Sequence, residues 1–249
     1  MKVKSNYIKP KFKKENNPKI GLLALSTDLT IEKDFNSICH KLPLDIFVNR
    51  IHNENPLTKE NLLKMYEQIE SITEKILPGE KINTVAYACT SGTIAIGEDK
   101  VKEKIQLVKP GCHVTTPITS AIKAFNKMNV KKIVVFTPYP ESINKTISEY
   151  FIKKNINVIS FNTFNLDLDV DFARVDPKHL SDVLTNLNLN EADALFVSCT
   201  ALPALEIIDQ VEKKINIPVF SSNQTLIWET IRSVGYTNSI TGYGKLLRN

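Results

Sequence analysis

Two cysteines with the same sequence context are the residues of this chain best suited to do chemistry. Cys89 stands in Tyr-Ala-Cys-Thr-Ser-Gly-Thr and Cys199 in Val-Ser-Cys-Thr-Ala-Leu-Pro, and each ends an apolar, strand-like run and precedes a helix-like stretch. A thiol at the start of a helix meets free backbone N–H groups and the positive helix end, which lower its pKa. The repetition predicts two facing acid/base groups rather than one nucleophile.

Two reactions are open to such a pair. A carbon acid bound between the thiols could lose a proton to one sulfur and regain it from the other. Alternatively, one thiolate could add to a double bond while the other thiol protonates the neighbouring carbon. A buried structural role is the alternative for either cysteine alone, since free cysteine is often buried, but the shared Cys-Thr phrase favours function for the pair. Cys39 and Cys112 lack this context and are predicted to be structural.

Small residues follow both cysteines and form a candidate binding cradle. Thr90 and Ser91 come directly after Cys89, and Thr200 and Ala201 come directly after Cys199. Free N–H groups and hydroxyls in a first helical turn can bind a carboxylate. The alternative is that the hydroxyl residues are ordinary helix caps, and the two interpretations are compatible.

Two further candidates lie at the ends of other strand-like runs. Asp28 follows the first run in Leu-Ser-Thr-Asp, where it could orient a substrate amine, assist proton transfer, or simply cap a turn. Tyr139, in Thr-Pro-Tyr-Pro, could bond to a carboxylate or enolate oxygen, or be an ordinary aromatic residue of a turn. Both are predicted to bind substrate.

Strand-like and helix-like segments alternate along the chain, which predicts an α/β fold with mainly parallel sheets. We expect two similar Rossmann-like lobes related by a pseudo-twofold axis, with the active site in the cleft at the carboxyl ends of the strands. The predicted division is a basic flexible extension over 1–17, lobe 1 over 18–115, lobe 2 over 116–217, and a segment over 218–249 that returns to lobe 1. The strand-like runs are 20–25, 44–48, 84–89, 132–137, 157–161, 194–199 and 219–221, and the helix-like stretches are 30–40, 58–76, 92–106, 120–128, 141–154, 177–187, 201–215 and 224–234.

Composition narrows the class of protein. The 249 residues are 42% hydrophobic and 24% charged, as in an ordinary globular protein, and no apolar run is long enough for a signal peptide or membrane span. We therefore expect a cytoplasmic protein with reduced cysteines and no membrane partner. The first fourteen residues hold six lysines and no acid, but the absence of arginine and of any recognisable module favours a flexible tail over nucleic-acid binding. No ligand spacing or nucleotide-binding motif occurs, so neither metal nor organic cofactor is expected.

At the cysteine phrases the sequence resembles the aspartate/glutamate racemase superfamily. Within it, the similarity is to the branch of maleate cis-trans isomerases and arylmalonate decarboxylases, including relatives from ectoine utilisation. The resemblance implies two similar α/β lobes, an active site between them and chemistry without a cofactor; a homo-oligomer is also expected. The matching segments are Ile-Gly-Leu-Leu-Ala-Leu-Ser-Thr-Asp-Leu-Thr, Ala-Cys-Thr-Ser-Gly-Thr, Val-Thr-Thr-Pro, Val-Phe-Thr-Pro-Tyr, Cys-Thr-Ala-Leu-Pro-Ala-Leu and Gly-Tyr-Gly-Lys-Leu-Leu.

The resemblance also implies roles for the residues. Maleate isomerase-like members use the first cysteine as nucleophile on the alkene and the second as proton donor, whereas racemase-like members use the pair as opposed base and acid. Decarboxylase-like members keep one of the two thiols, so the presence of both argues against that activity. Carried over, Cys89 is nucleophile or base, Cys199 is the acid, and Tyr139 binds a carboxylate.

One departure from the family pattern bears on the substrate. Maleate isomerases carry asparagine where this chain has Asp28, and the second binding amide falls near Asp169. An amide can donate to a substrate carboxylate, whereas an ionised aspartate repels it. The leading hypothesis is therefore a racemase or epimerase of a small carboxylate or amino-acid-like substrate. The alternatives are cis-trans isomerisation through a covalent Cys89 adduct, and a non-catalytic carboxylate-binding protein on the same fold.

Overall fold

A computed structural model describes residues 5–12, 14 and 17–249 of the chain. Eight strands form two separate four-stranded sheets in which all neighbouring strands are parallel. The strands are β1 (Lys19–Leu25), β2 (Asp45–Ile51), β3 (Thr84–Tyr87), β4 (His113–Thr115), β5 (Lys132–Thr137), β6 (Asn157–Thr163), β7 (Ala194–Val197) and β8 (Val219–Ser221).

The two sheets repeat one topology. The first runs β2-β1-β3-β4 and the second β6-β5-β7-β8, so each sheet places its strands in the same relative order. The central strands β3 and β7 are buried at every position because both faces of each sheet are covered. The prediction of an α/β fold with two lobes and parallel sheets is confirmed.

Helices connect the strands and pack on both faces of each sheet. Two of them begin at a cap followed by proline, Thr116-Pro117 and Asp176-Pro177, since proline lacks only an N–H that the first turn leaves free. The α-helices are α1 (Ile31–Cys39), α2 (Lys59–Lys64), α3 (Tyr66–Glu74), α4 (Thr90–Ile96), α5 (Glu98–Val108), α6 (Pro117–Lys127), α7 (Glu141–Lys153), α8 (Asp169–Phe172), α9 (Pro177–Thr185), α10 (Ile208–Ile215) and α11 (Ser222–Ser233).

The structure corrects several predicted elements. The helix expected over 201–215 does not begin after Cys199: a 3-10 turn at Leu205–Ile207 comes first and α10 follows. The helix expected over 58–76 is divided into α2 and α3 at Met65. Strand β4 and helix α8 were not predicted.

The ends of the chain bear on the predicted division into lobes. Strand β8 pairs with β7 in the second sheet, whereas α11 packs against α6 and also contacts β3 and β4 of the first. The expected return of 218–249 to lobe 1 is thus incorrect for β8. Within the predicted extension, residues 5–12 form neither helix nor strand, and residues 1–4, 13, 15 and 16 lie outside the described part. No helix among the described residues is long and apolar enough to cross a membrane.

An aromatic cluster fills the interior beside the second sheet. The ring of Phe125 on α6 meets those of Phe196 on β7 and Phe220 on β8 edge to face, at centroid distances of 5.5 and 5.1 Å. Phe151 on α7 completes the group, 5.9 Å from Phe196. All four side chains are fully buried. Tilted and edge-to-face rings of this kind fix the position of α6 against the strands that end near Cys199.

Candidate active site

One small cavity, between the carboxyl ends of the two sheets, is bounded by both cysteines. Its volume is about 10 Å³, and all eight residues that the sequence analysis selected for the site lie on its wall. The remaining lining residues are Leu25, Thr27 and Asp169. The eight selected residues are Asp28, Cys89, Thr90, Ser91, Tyr139, Cys199, Thr200 and Ala201.

Cys89 caps the first helix of the site. Its backbone is extended, and its Sγ accepts a hydrogen bond from the N–H of Gly92 at 3.2 Å. Ser91 Oγ lies 3.8 Å from the same sulfur. Glycine is required at position 92, because a Cβ there would stand 2.8 Å from the sulfur and 2.7 Å from Met65 Cε. The strand-to-helix geometry predicted for Cys89 is therefore present.

Cys199 is held differently. Its Sγ accepts a hydrogen bond from the N–H of Ala201 at 3.3 Å, but a turn rather than a helix follows. The expectation that a helix end polarises both thiols therefore fails for Cys199. The Tyr139 hydroxyl bonds to this thiol and favours its ionised form. Tyr139 itself is buried and its ring contacts Phe172 at a centroid distance of 5.7 Å.

Burial controls the charge of both sulfurs. It raises the pKa of Cys89 to about 12, against the opposing effect of the Gly92 N–H. Burial also raises the pKa of Cys199 well above that of an exposed thiol, and the Tyr139 hydroxyl opposes it. The predicted lowering of both pKa values is wrong for the protein alone, so both groups are thiols at neutral pH. A positive charge bound in the cavity would stabilise a thiolate there.

Asp28 lies on the wall of the cavity, close to the start of α1. Its Oδ1 accepts hydrogen bonds from the N–H groups of Thr30 at 2.7 Å and Ile31 at 2.9 Å, so the residue caps the entry to α1. Its Oδ2 is buried and has no hydrogen-bond partner among the described residues. Burial raises the pKa of Asp28 to about 6, against the opposing effects of the two N–H groups, the Thr200 hydroxyl and the Arg50 charge. Both roles weighed from the sequence, capping and substrate contact, are compatible with this geometry.

Asp169 supplies a second carboxyl to the cavity from the other lobe. Its Oδ2 accepts a hydrogen bond of 2.5 Å from Asn53 Nδ2, and its N–H donates to Asn55 Oδ1 at 3.2 Å. Burial, together with the charge of Asp28, raises the pKa of Asp169 to about 6, against the opposing hydrogen bonds from Asn53 and Thr27. Two neighbouring carboxyls with raised pKa values therefore face the two thiols.

The hydroxyls after the cysteines do not simply line a cradle. Thr90 Oγ1 lies 2.9 Å from Ser222 Oγ, and Thr200 Oγ1 donates to the carbonyl of Ala88 at 3.3 Å. Thr30 Oγ1 donates to the carbonyl of Ala201 at 2.8 Å. The Thr200 bond connects the two cysteine turns directly, whereas the other two bonds hold the turns to the starts of α11 and α1.

Sequence reasoning missed several residues around the site. Asn53 and Thr27 hydrogen-bond to each other, with Asn53 Nδ2 2.8 Å from Thr27 Oγ1, and together they support Asp169. Arg50, by contrast, was expected from the sequence to form an exposed ion pair; it does pair with Glu32, and it also donates to the carbonyl of Asp28 at 2.9 Å. Only the position of Asn53, two residues after β2 ends, could have suggested such a role.

Other features of the described chain do not compete with this site. Two more open clefts of about 340 and 630 Å³ contain neither Cys89 nor Cys199. Within residues 5–12, 14 and 17–249, no group of three or more His, Cys, Asp or Glu side chains is arranged to hold a metal ion. All four cysteines are free and buried.

Comparison with known proteins gives the family. The family model of arylmalonate decarboxylase matches residues 61–247, which is three quarters of the chain. The chain belongs to the arylmalonate decarboxylase family. The branch that the cysteine phrases indicated is thereby confirmed.

Within this family the chain is similar to several proteins called maleate isomerase. It is 23% identical over 245 residues to that of Geobacillus stearothermophilus, with 92% of this chain and 96% of the relative covered. It is 21% identical over 243 residues to that of Nocardia farcinica, covering 92% of this chain and 95% of the relative. These relatives, aligned over nearly their whole length, confirm the prediction of an isomerase; the substrate is a separate question.

Solved structures support the fold. A maleate cis-trans isomerase of Nocardia farcinica, in a Cys-to-Ser mutant with a covalently bound succinylcysteine intermediate, superposes with a TM-score of 0.85. The identity is 18%, and 94% of this chain and 99% of that chain are covered. The two-lobed architecture is therefore common to both proteins.

Proposed function

We propose that this protein is a cofactor-independent racemase or epimerase of a small carboxylate that carries an amino group at the reacting carbon. Cys89 and Cys199 act as its base and acid. The observation that carries the choice of substrate is the free Oδ2 of Asp28, beside Asp169 and the two thiols. A substrate ammonium group provides the donor and the positive charge that this arrangement lacks.

Electrostatics favours an ammonium-bearing substrate over a plain diacid. Asp28 and Asp169, both with a pKa of about 6, are mainly ionised at neutral pH. Two carboxylates in a closed cavity repel a dianion and attract a cation. An ammonium group bound there also lowers the pKa of the neighbouring thiols, because its charge stabilises a thiolate.

The reaction on such a substrate balances without a co-reactant. One thiolate removes the α-proton, the electron pair delocalises into the substrate carboxylate, and the other thiol returns a proton to the opposite face. Each turnover leaves the two sulfurs with exchanged protonation states. The N–H groups of Gly92 and Ala201 stabilise the thiolate forms of Cys89 and Cys199.

Cis-trans isomerisation is the second candidate, favoured by the relatives called maleate isomerase and by the succinylcysteine intermediate seen in one of them. In this route the Cys89 thiolate forms an S–C bond as the π bond breaks, and Cys199 protonates the neighbouring carbon. Rotation about the new single bond, return of the proton and cleavage of the S–C bond give the other isomer. Protonation of Asp28 and Asp169 would be required to admit a dicarboxylate.

The two routes are separated by isotope and adduct measurements. Two-base chemistry requires deuterium from solvent at the α-carbon of amino-acid substrates, with Cys89→Ser and Cys199→Ser both inactive. The cis-trans route requires a mass adduct on Cys89 after incubation with an unsaturated diacid. Cys39→Ser and Cys112→Ser are the matched controls, since both thiols are buried away from the cavity. Normal ligand binding by both site variants, with no turnover of any substrate by the wild-type protein, would leave a non-catalytic binding protein.

Further expectations accompany this proposal. Thr90, Ser91, Thr200 and Ala201 bind the substrate carboxylate, and Tyr139 assists. Lobe 1 begins near residue 18 and lobe 2 near residue 116. The protein forms a homo-oligomer, and it binds neither nucleic acid nor membrane. Four free thiols favour a reducing, cytoplasmic location. A role in ectoine utilisation is a prediction that rests on the sequence resemblance.

A further inference from the structure

Helix α11 begins between the two cysteine turns and contacts both. Ser222, its first residue, lies 2.9 Å through Oγ from Thr90 Oγ1. Asn223, its second residue, donates from Nδ2 to the carbonyl of Thr200 at 2.8 Å. Thr90 and Thr200 each follow a catalytic cysteine directly in the sequence. Ser222 and Asn223 are at most 1% exposed, so water does not compete for these bonds.

Asp34 fixes the orientation of the Asn223 side chain. Asn223 Nδ2 uses its second N–H to donate to Asp34 Oδ2 at 2.7 Å. The amide nitrogen thus faces two acceptors, a carboxylate and a carbonyl, and a flipped amide would place its oxygen against both. Asn223 Oδ1 is buried and accepts no bond from any described residue. A polar atom left unpaired in this way has a cost, so the two donated bonds must outweigh it.

We propose that Ser222 and Asn223 are positioning residues that hold Cys89 and Cys199 at their working separation, and that Asp34 orients Asn223 for this purpose. The inference rests on the proposed two-cysteine chemistry. The two cysteines follow strands of different sheets, so nothing within either sheet fixes the distance between them. The start of α11 is a common support that touches the turn after each thiol.

Precise placement matters because both sulfurs must reach one substrate atom. A displacement of about 1 Å in a reacting group can lower the rate about a hundredfold. The direct contact between the turns, from Thr200 Oγ1 to the Ala88 carbonyl, is longer at 3.3 Å and is weaker than the two bonds to α11. Loss of the α11 bonds therefore lowers the rate of the chemical step.

Gln224 provides a matched control on the same helix. It is fully buried, its Nε2 donates to the Tyr243 carbonyl at 2.6 Å, and its Oε1 has no partner in the described chain. Gln224→Leu removes a comparable buried amide but disturbs the C-terminal segment rather than the cysteines. A purely structural effect of losing an amide appears in both variants, whereas a positioning effect appears only at Asn223.

The experiment compares Asn223→Leu, Ser222→Ala and Gln224→Leu by two readouts. The first is kcat and KM, measured with a substrate that the wild-type protein turns over. The second is the alkylation rate of each cysteine by iodoacetamide, followed by peptide mass spectrometry in the full-length protein. Asn223→Leu should lower kcat about tenfold or more with KM within about twofold. It should also change the alkylation rate of Cys199, and Ser222→Ala that of Cys89, by about threefold or more.

If all three variants keep the kcat and the alkylation rates of the wild type, the inference is overturned and the two-cysteine function stands. Full turnover by Cys89→Ser and Cys199→Ser would instead overturn the proposed function. Altered alkylation at the named cysteines without turnover of any substrate would support positioning alone. If Asn223→Leu does not fold, Asp34→Asn, which replaces the carboxyl that accepts from Asn223 by an amide, is judged by the same two readouts.

Discussion

Replacement of Asp28 by asparagine tests the charge of the cavity directly. Asparagine keeps the oxygen that accepts the N–H groups of Thr30 and Ile31, and it exchanges the unpartnered Oδ2 for an amide. The charge is removed while the cap is retained. Both stability and substrate preference are expected to change.

The magnitude follows from the pKa of Asp28, which burial raises from 3.8 to about 6. At about 1.4 kcal/mol for each pH unit, ionised Asp28 destabilises the folded protein by about 3 kcal/mol. Because the folded pKa is the higher one, this loss develops as pH rises from about 4 to 6 and is constant above. A new buried amide donor costs about 1 kcal/mol in the variant. Asp28→Asn should therefore be about 2 kcal/mol more stable than wild type above pH 7.

Urea unfolding at pH 7.5 and pH 4 measures this difference, provided that the m value is unchanged. The gain should be present at pH 7.5 and fall to zero or below at pH 4. Asp193→Asn is the control, since that carboxylate accepts the N–H groups of Lys131 and Lys132 and its pKa is lowered. Its replacement should instead destabilise the protein at pH 7.5.

The Asp28→Asn variant should also lose turnover of amino-acid substrates and bind dicarboxylates more tightly. A stability difference that is equal at both pH values would refute the raised pKa of Asp28. Asp28 would then be ionised well below pH 6, and the repulsion of a diacid would extend to lower pH. A raised pKa with unchanged substrate preference would refute only the assignment of Asp28 to the substrate amine.

Three further predictions concern the supports of the site. Gly92→Ala should lower activity about tenfold or more and destabilise the fold by about 1–3 kcal/mol, because a Cβ there overlaps the Cys89 sulfur. Thermal unfolding and kcat measure both effects. Gly79→Ala is the control for activity: its positive φ strains the alanine, but its Cβ has open space, so it should lose stability without losing activity. Asn53→Ala should leave the Asp169 carboxylate without its Asn53 donor and raise the pKa of Asp169 above 6. As the pH is lowered, kcat/KM for an ammonium-bearing substrate should therefore begin to fall at a higher pH than in the wild type. An unchanged pH profile would contradict this. Phe125→Ala should cost about 3–5 kcal/mol in urea unfolding through the cavity it leaves in the aromatic cluster, and a cost near zero would show that the cluster is not packed as described.

Local sequence patterns predicted much of the fold and the composition of the cavity wall. Apolar runs ending in Cys89 and Cys199 predicted two buried strands, because strands covered on both faces must be apolar throughout. A helix after Cys89 was also predicted, over 92–106, but Gly97 with its positive φ divides it into α4 and α5. After Cys199 the same inference failed, because Pro203 disfavours helical backbone at Leu202. The helix consequently starts several residues later, at Ile208.

The contacts that complete the site could not be predicted in this way. Asn53 and Asp169 are 116 residues apart in sequence and meet only through the packing of two lobes. Asn223 was placed before a helix that appeared to return to the first lobe, and nothing in its neighbourhood indicates contact with Thr200. The thiol pKa values were mispredicted for the same reason, because burial is a property of the whole fold and outweighs the local N–H groups.

The small volume of the cavity has a kinetic consequence. About 10 Å³ is close to the least space that one water molecule needs, and every carboxylate substrate is larger. Binding must therefore pass through a more open arrangement of the cavity wall, and the observed association rate cannot exceed the rate of that opening. In stopped-flow mixing, the binding rate should level off as substrate concentration rises. The closure that follows brings the substrate into contact with groups that are already dehydrated.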